Sequence, residues 1–498
     1  MTTYADEPNV VKLNARSLNS LPSAVRVPHY DRTQLSDAIV HIGVGGFHRA
    51  HQALYMDELM EKGLARDWGI CGVGLLPRDA RMRDALRSQD YLYTLVEKSP
   101  DGDRPRIIGS LTGYLFAPED RETVLEKMAS PATRIVSLTI TEGGYYFDAA
   151  TGEFDAAHPD IVHDLENPGS PICVYGFLAE ALNRRRQRGL SPFTVMSCDN
   201  IQSNGEMART MLLAFAGRRD SQLASWIERH GAFPNSMVDR ITPATADTDR
   251  AGLAEQFGIE DAWPVVTEPF VQWVMEDRFC NGRPPFEQAG VQMTDDVHPY
   301  EMMKIRLLNA SHSSLAYLAY LAGITYVHEV MQDAKFNAFV FDLMNSEVTP
   351  VVPPVPGIDL DQYKRTLIER FANPAVRDQV ARLCLDGSAK LPKFILPTIV
   401  EQLQRGGEIK RLCLGIAGWF RYLAGKDEQG RPIEINDPMG ERLRSIAESA
   451  GDDPMPLLGV REIFGQDLPR NERFVELIRG PLQSLYAQGA RATMDQYL

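Results

Sequence analysis

The sequence predicts an α/β protein: an N-terminal domain built on a mostly parallel, twisted sheet, then a largely α-helical C-terminal domain. Three observations carry this. From Ala38 onward, short apolar runs alternate with stretches of helical spacing, the pattern of parallel strands joined through crossover helices. A glycine-rich turn, Gly43-Val-Gly45-Gly46, stands between the first apolar run and a helical stretch. After about Thr294 the strand signals fade and long helical patterns dominate. At 498 residues the chain is too long for one ordinary core, so two domains are expected, residues 1–293 and 294–498.

Taken in order, residues up to about 30 read as an extension in which Pro22 and Pro28 limit helix. Strands are expected over residues 39–43, 70–75, 134–139 and 194–197, with helices over 120–129 and 174–187 among them. In the C-terminal half, helices are expected over residues 302–321, 328–343, 360–371, 375–385 and 410–423. Pro350-Val-Val-Pro-Pro-Val-Pro356 reads as a stiff connector. Ligands of open parallel sheets sit beyond the carboxyl ends of strands, where Thr141-Glu142 and Asn200 fall. Domain junctions favour clefts, so the site is expected between the two domains.

Composition excludes several function classes. Apolar content of 44% and charged content of 24% are those of a globular protein. A net charge of -15 argues against broad nucleic-acid or anionic-membrane binding, which needs basic surface. The six cysteines are scattered, without a Cys-x-x-Cys pair or a histidine at metal spacing, so no metal is expected. Met1 to Val10 lacks the apolar core of a secretory signal, and no apolar run reaches the ~18 residues of a membrane span. A cytoplasmic protein is expected.

The stretch Lys304-Ile-Arg-Leu-Leu-Asn309-Ala-Ser-His312 places an amine, an amide and an imidazole on one apolar helix. At about 100° per residue, Asn309 and His312 project roughly 140° and 80° around the axis from Lys304. Polar groups on a buried helix need partners or a task. Read by itself, the stretch also fits a polar face with Lys304 and Arg306 in water and His312 on a backbone carbonyl. The turn at Gly43 has a similar ambiguity. In dinucleotide-binding units the first glycines permit the turn and let backbone approach a pyrophosphate at a helix N-terminus. Here His48 stands at the place of the third glycine, and such turns also occur without a nucleotide. The second strand ends near Asp79, a carboxylate suited to an adenosine ribose or, equally, to capping the following helix.

Several longer segments stand in a definite order: His41-Ile-Gly-Val-Gly-Gly-Phe-His-Arg-Ala-His-Gln52, Ile135-Val-Ser-Leu-Thr-Ile-Thr-Glu-Gly-Gly-Tyr145 and Thr194-Val-Met-Ser-Cys-Asp-Asn200. Phe233-Pro-Asn-Ser-Met-Val-Asp239-Arg-Ile-Thr-Pro243 and Trp263-Pro-Val-Val-Thr-Glu-Pro-Phe-Val-Gln-Trp273 follow, then the Lys304 stretch and Asp386-Gly-Ser-Ala-Lys390-Leu-Pro-Lys-Phe394. Together, over nearly the whole chain, they resemble the long-chain polyol-specific dehydrogenases.

The resemblance implies a Rossmann-type cofactor domain and NAD-dependent, metal-independent interconversion of a sugar alcohol and its ketose. D-Mannitol and D-fructose are expected first, with D-arabinitol, D-sorbitol or a hexonate as alternatives. A catalytically silent nucleotide-binding protein on the same fold is the reading from a different class. By the same resemblance Lys304 is the general base, Asn309 and Asn200 donate to the reacting oxygen, and His312 positions the hydroxyl or the lysine. Asp239, Arg382 and Lys390 would contact the polyol, and Glu142 and Glu301 would pass the proton to water. Gly43, Gly45, Gly46, Phe47 and Arg49 would form the cofactor turn, with Asp79 on the ribose.

Each carried-over role has a plainer alternative: a turn residue for Asn200, a surface arginine for Arg382, a solvated lysine for Lys390. For Glu142 and Glu301 the alternatives are a loop carboxylate and a first-turn carboxylate. A free lysine has a pKa of ~10.4, and enzymes lower it to about 7–8 by burial and neighbouring charge. The apolar helix and Arg306 would both push Lys304 that way. Arg78, beside Asp79, departs from the resembled pattern and suits a 2′-phosphate, so NAD is expected to be preferred with NADP as a weaker cofactor. A monomer is expected.

Overall fold

The computed structural model describes residues 10–147 and 152–497; the first nine residues, most of the stretch read above for a secretory signal, lie outside them. The chain divides into two compact units, Met1–Val297 and His298–Leu498.

Five parallel strands form the sheet of the first unit: β1 (Asp37–Ile42), β2 (Gly69–Gly74), β3 (Leu111–Phe116), β4 (Ile135–Leu138) and β5 (Thr194–Ser197). Their order is β3-β2-β1-β4-β5, with every neighbouring pair parallel. Strands buried on both faces need apolar residues without alternation, which is why adjacent apolar residues recur in β1 (Ala38-Ile39-Val40) and β4 (Ile135-Val136). Ile39, Ile70 and Ile135 face one core, which includes Leu54 and Leu59 from the helix Gln52–Glu61. Val40, Val136 and Val195 face the other, with Leu125 and Phe177 from helices Arg121–Ala129 and Val174–Gln187. Helices on both faces and a reversal of strand order at β1/β4 make this a Rossmann-type sheet. In sheets of this kind ligands bind beyond the carboxyl ends of the strands at such a reversal.

Two three-stranded sheets were not visible as such in the sequence. Tyr93–Ser99 pairs antiparallel with Gly102–Ile108 and parallel with Val265–Thr267. Ser236–Asp239 pairs antiparallel with Gln272–Glu276, which in turn runs parallel to Gln292–Thr294. The N-terminal extension is not a loose arm over its described residues. Val11–Lys12 pairs with Ile259–Glu260, and Leu13 and Val25 are buried in a small core of their own.

The second unit is helical, with no strand among its described residues, only isolated bridges such as Tyr326 to Gln379. Three helix expectations are corrected. The stretch expected as one helix over 302–321 is α-helical at His298–Met303, π-helical at Lys304–Asn309 and α-helical again at Ala310–Leu321. The helix expected over 328–343 is broken at Asp333, whose extended backbone caps Ala334–Asp342, and a second π segment follows at Leu343–Val348. Only Val380–Leu383 is helical within 375–385, because Arg377 is left-handed (φ 51°) and Gln379 is drawn into the bridge with Tyr326. No helix among the described residues is long and apolar enough to cross a membrane.

Candidate active site

In the first unit, the predicted residues other than Asp239 lie past the carboxyl ends of strands of the parallel sheet. Gly43 follows β1 with φ +93°, and a Cβ there would lie 2.1 Å from the Thr139 carbonyl oxygen. The hydroxyl of Thr139 donates to the Gly43 carbonyl at 2.6 Å, so the ends of β1 and β4 are locked together with no room for a side chain. Gly45 is the N-cap of helix Gly46–Ala50, and a Cβ on it would meet nothing closer than the Gly43 carbonyl at 3.8 Å. Packing demands the first glycine; the second leaves open space above exposed backbone N–H groups. Phe47 stacks on His51 with ring centroids 4.8 Å apart. Arg49 is fully buried: its guanidinium donates to the carbonyls of Gly45 and Trp263 and lies over the Tyr93 ring, holding the turn from behind.

Past β2, the Asp79 carboxylate accepts from the Leu76 N–H at 2.9 Å, closing the short turn Pro77–Asp79. It makes no side-chain cap to helix Ala80–Arg87. Past β4, Glu142 stands exposed at the start of a 3₁₀ turn that runs to Tyr145. Past β5, Asn200 is exposed next to a buried Asp199. Asp239 ends its strand elsewhere in the unit, buried and in register with Gln272.

In the second unit, Glu301, Lys304, Asn309 and His312 follow one another on the broken helix, each less than 9% exposed. In the π segment the Ala310 N–H bonds to the Ile305 carbonyl, an i→i+5 pattern that widens the turn. Residues five apart then lie about one turn apart, so Asn309 comes nearer to Lys304's face than the roughly 140° of a regular helix allows. The imidazole of His312 stacks on Phe371 with centroids 4.0 Å apart. Helix Gly387–Phe394, which carries Lys390, packs against the π segment and against Ala310–Leu321, and Val380–Leu383 also packs on the latter. The Lys390 ammonium donates to the Leu383 carbonyl at 3.5 Å. Arg382 is bidentate to Asp378, both bonds at 2.6 Å, on an outer, half-exposed face. Arg306 does not face water, nor does it act as an uncompensated charge beside Lys304. It is buried and paired with Glu401 at 2.8 Å. Among the described residues no group of three or more His, Cys, Asp or Glu side chains is arranged to hold a metal ion.

Two family models match the chain: the mannitol dehydrogenase Rossmann domain over residues 37–288 and the mannitol dehydrogenase C-terminal domain over residues 296–486. The chain belongs to the mannitol dehydrogenase family. Mannitol 2-dehydrogenase of Aspergillus fumigatus is 52% identical over 98% of this chain and 99% of its own length. That of Pyricularia oryzae is 49% identical over 95% and 96%. Among solved structures, Pseudomonas fluorescens mannitol 2-dehydrogenase in ternary complex with NAD and D-mannitol is 49% identical with a TM-score of 0.91, covering 98% of this chain and 99% of that one. A D-sorbitol dehydrogenase in substrate-free form is 38% identical with a TM-score of 0.88, covering 97% and 100%.

In this member of the mannitol dehydrogenase family, Asp199 organises the loop past β4, a role sequence reading missed. Its carboxylate accepts from the Ile140 N–H at 3.1 Å, the Thr141 N–H at 2.8 Å and the Tyr145 hydroxyl at 2.8 Å. Thr141 is held at φ +61°, a conformation a β-branched residue adopts only when its surroundings impose it. Burial pushes the Asp199 carboxyl above its usual range, against the pull of these donors. Arg240 is the second missed anchor. It donates to the Ala50 and Glu268 carbonyls and pairs with Glu97, tying the glycine-turn helix to the strands beside it. The Cys198-Asp-Asn200 and Asp239-Arg240 segments were the available signal, but both partner sets lie far along the chain.

Proposed function

We propose that this chain is an NAD-dependent polyol dehydrogenase that oxidises D-mannitol to D-fructose, reversibly, with Lys304 as general base. The observation that carries the reading is the π segment, which turns a buried lysine and a buried amide toward a common face. The similarity to a mannitol 2-dehydrogenase complexed with NAD and D-mannitol supports the cofactor and the substrate. The glycine turn fits the cofactor. Open space at the Gly45 Cβ position admits a pyrophosphate against helix N–H groups, and Asp79 stands at the end of β2 with Oδ1 making no hydrogen bond among the described residues.

Bound NAD supplies the hydride acceptor. The chain's own work is on oxygen. Lys304 takes the hydroxyl proton in oxidation and returns it in ketose reduction. Asn309 and Asn200 donate to the oxygen as it gains negative charge, and as amides they do so without competing for the proton. His312, held flat against Phe371, orients the hydroxyl or the lysine. Asp239 and Lys390 contact the remaining hydroxyls. Arg382 joins them from its Asp378 clamp, and Glu142 and Glu301 relay the proton to water.

The test is initial-rate NADH formation after prolonged EDTA treatment, across mannitol, arabinitol, sorbitol and hexonates. Fastest turnover on mannitol, insensitive to EDTA, is expected. A different preferred polyol changes the substrate and leaves the base chemistry; no turnover on any of them ends the reading.

A further inference from the structure

The π segment needs something to hold it. Its six residues, Lys-Ile-Arg-Leu-Leu-Asn, are ordinary α-helix formers, and an i→i+5 turn is rare where nothing opposes relaxation to i→i+4. On one face of this helix, at four-residue spacing, lie His298, Met302 and Arg306. They border a cavity of about 470 Å³ whose far side is Pro350–Pro354 with Glu401 and Arg405. Apolar packing therefore does not set the helix on this side. Arg306 crosses the gap: one nitrogen, Nη1, donates to the Val351 carbonyl and pairs with Glu401 at 2.8 Å, while Nε has no partner among the described residues; earlier on the same helix the Tyr300 hydroxyl donates to the Pro356 carbonyl at 2.8 Å.

Glu401 lies on helix Leu396–Arg405, and the next residue of that helix, Gln402, donates through Nε2 to the Glu347 carbonyl at 2.6 Å. Glu347 belongs to the second π segment, Leu343–Val348, which packs against the first. Adjacent residues of one helix thus brace both π turns.

We infer that Arg306 is a positioning residue: pinned to Val351 and Glu401, it holds the π register that brings Asn309 toward the face of Lys304. This rests on Lys304 and Asn309 being the groups that handle the reacting oxygen. Removing the pin lets the turn relax, Asn309 rotates away, and the chemical step slows without loss of the binding surfaces.

The test compares R306M and R306K in the full enzyme with NAD and mannitol. For R306M, kcat is expected to fall by about 10- to 100-fold, the loss typical of a displaced catalytic group, with mannitol KM and the NAD dissociation constant within about threefold of wild type. The isotope effect with mannitol deuterated at the oxidised carbon should rise toward its intrinsic value. Because both contacts come from a single nitrogen, the lysine variant is expected to recover most of kcat. An R306M enzyme with unchanged kcat and isotope effect overturns the proposal, and so does one whose KM, NAD affinity and melting temperature all collapse together. If R306M does not fold, E401A removes the other half of the pin and should show the same split between kcat and KM. K304A measured alongside separates the two ideas. Turnover surviving K304A removes the base and this proposal with it, whereas turnover surviving R306M alone removes only the register.

Discussion

The imidazole of His41, on β1, lies stacked on that of His48, on the first helix, with ring centroids 3.5 Å apart and planes 14° from parallel. Where the usual fingerprint has a third glycine to bring helix and strand together, this chain fills the contact with two rings. His41 is tied to Ser137 at 2.8 Å and Thr139 at 2.9 Å, and Thr139 in turn holds Gly43. Burial pushes His41 down to about 3 and His48 well below the usual histidine range.

Acid stability follows from this stack. Both groups have folded values below their unfolded ones, His41 at about 3, so as pH falls below ~6.5 the unfolded chain binds protons that the folded chain refuses. Their contribution is complete above pH ~6.5 and is lost as pH falls, for His41 by about 2 kcal/mol at pH 5. His48→Phe keeps a ring against His41 and removes the titration. Denaturant unfolding at pH 7 and pH 5 should show His48→Phe losing less stability than wild type across that interval. An identical loss would mean that His48 is not among the groups that titrate on unfolding.

The two glycines before that stack predict opposite failures. Gly43→Ala puts a Cβ 2.1 Å from the Thr139 carbonyl at φ +93°, so it should unfold at lower denaturant by about 2 kcal/mol or more. Gly45→Ala meets no protein atom inside 3.8 Å and should keep its melting temperature while NAD affinity falls about tenfold or more, because the methyl group fills the pyrophosphate's place. Melting curves and NAD titrations on both variants decide it; a Gly45→Ala enzyme with wild-type NAD affinity would place the cofactor elsewhere.

These contrasts mark where sequence reading reached and where it stopped. β1, β4 and β5 were legible because strands buried on both faces are short, mostly apolar runs without strict alternation, and the glycine turn is a local signal. The π segment was not, since its residues suit an α-helix and its register depends on Val351 and Glu401, distant in sequence. Arg306 was read as a charge acting on Lys304 because its partner could not be seen. Asp199 carried no signal of its role because the N–H groups it holds, on Ile140 and Thr141, lie on another strand's loop. The helix expected over 375–385 failed because Arg377 is left-handed and Gln379 is drawn out to bridge Tyr326, a partner far along the chain.

On the proposed reading, cofactor choice is expected to turn on Arg78 and Asp79. Arg78 is exposed and makes no hydrogen bond or ion pair among the described residues, so its guanidinium is available to a 2′-phosphate, while Asp79 repels one. NAD should be preferred over NADP, with less discrimination than two acidic residues would give. Arg78→Ala is expected to lower kcat/KM with NADP by about tenfold and leave the NAD value unchanged, since a charge-assisted bond contributes about 1.5–3 kcal/mol. Equal efficiency with both cofactors in the wild type, or a preference for NADP, would overturn this.

Lys304 and Asn309 are expected to act as a unit, and that is separable from acting as two independent groups. Lys304→Ala should reduce kcat by about 10²–10⁴, the usual contribution of a positioned proton acceptor. Asn309→Ala should reduce it by about 10²–10³, the usual loss of one donor to a developing oxyanion. The amide matters most while the oxygen is losing its proton to the lysine; with no base to take that proton, little negative charge forms for Asn309 to stabilise. The double variant should therefore be no more than about tenfold slower than the worse single one, because groups serving one step are non-additive. NAD binding by all three variants should match wild type, since the glycine turn and Asp79 are untouched. Losses that multiply in the double variant would show the amide working without the lysine, and would move the base to another residue, with His312 the first to test.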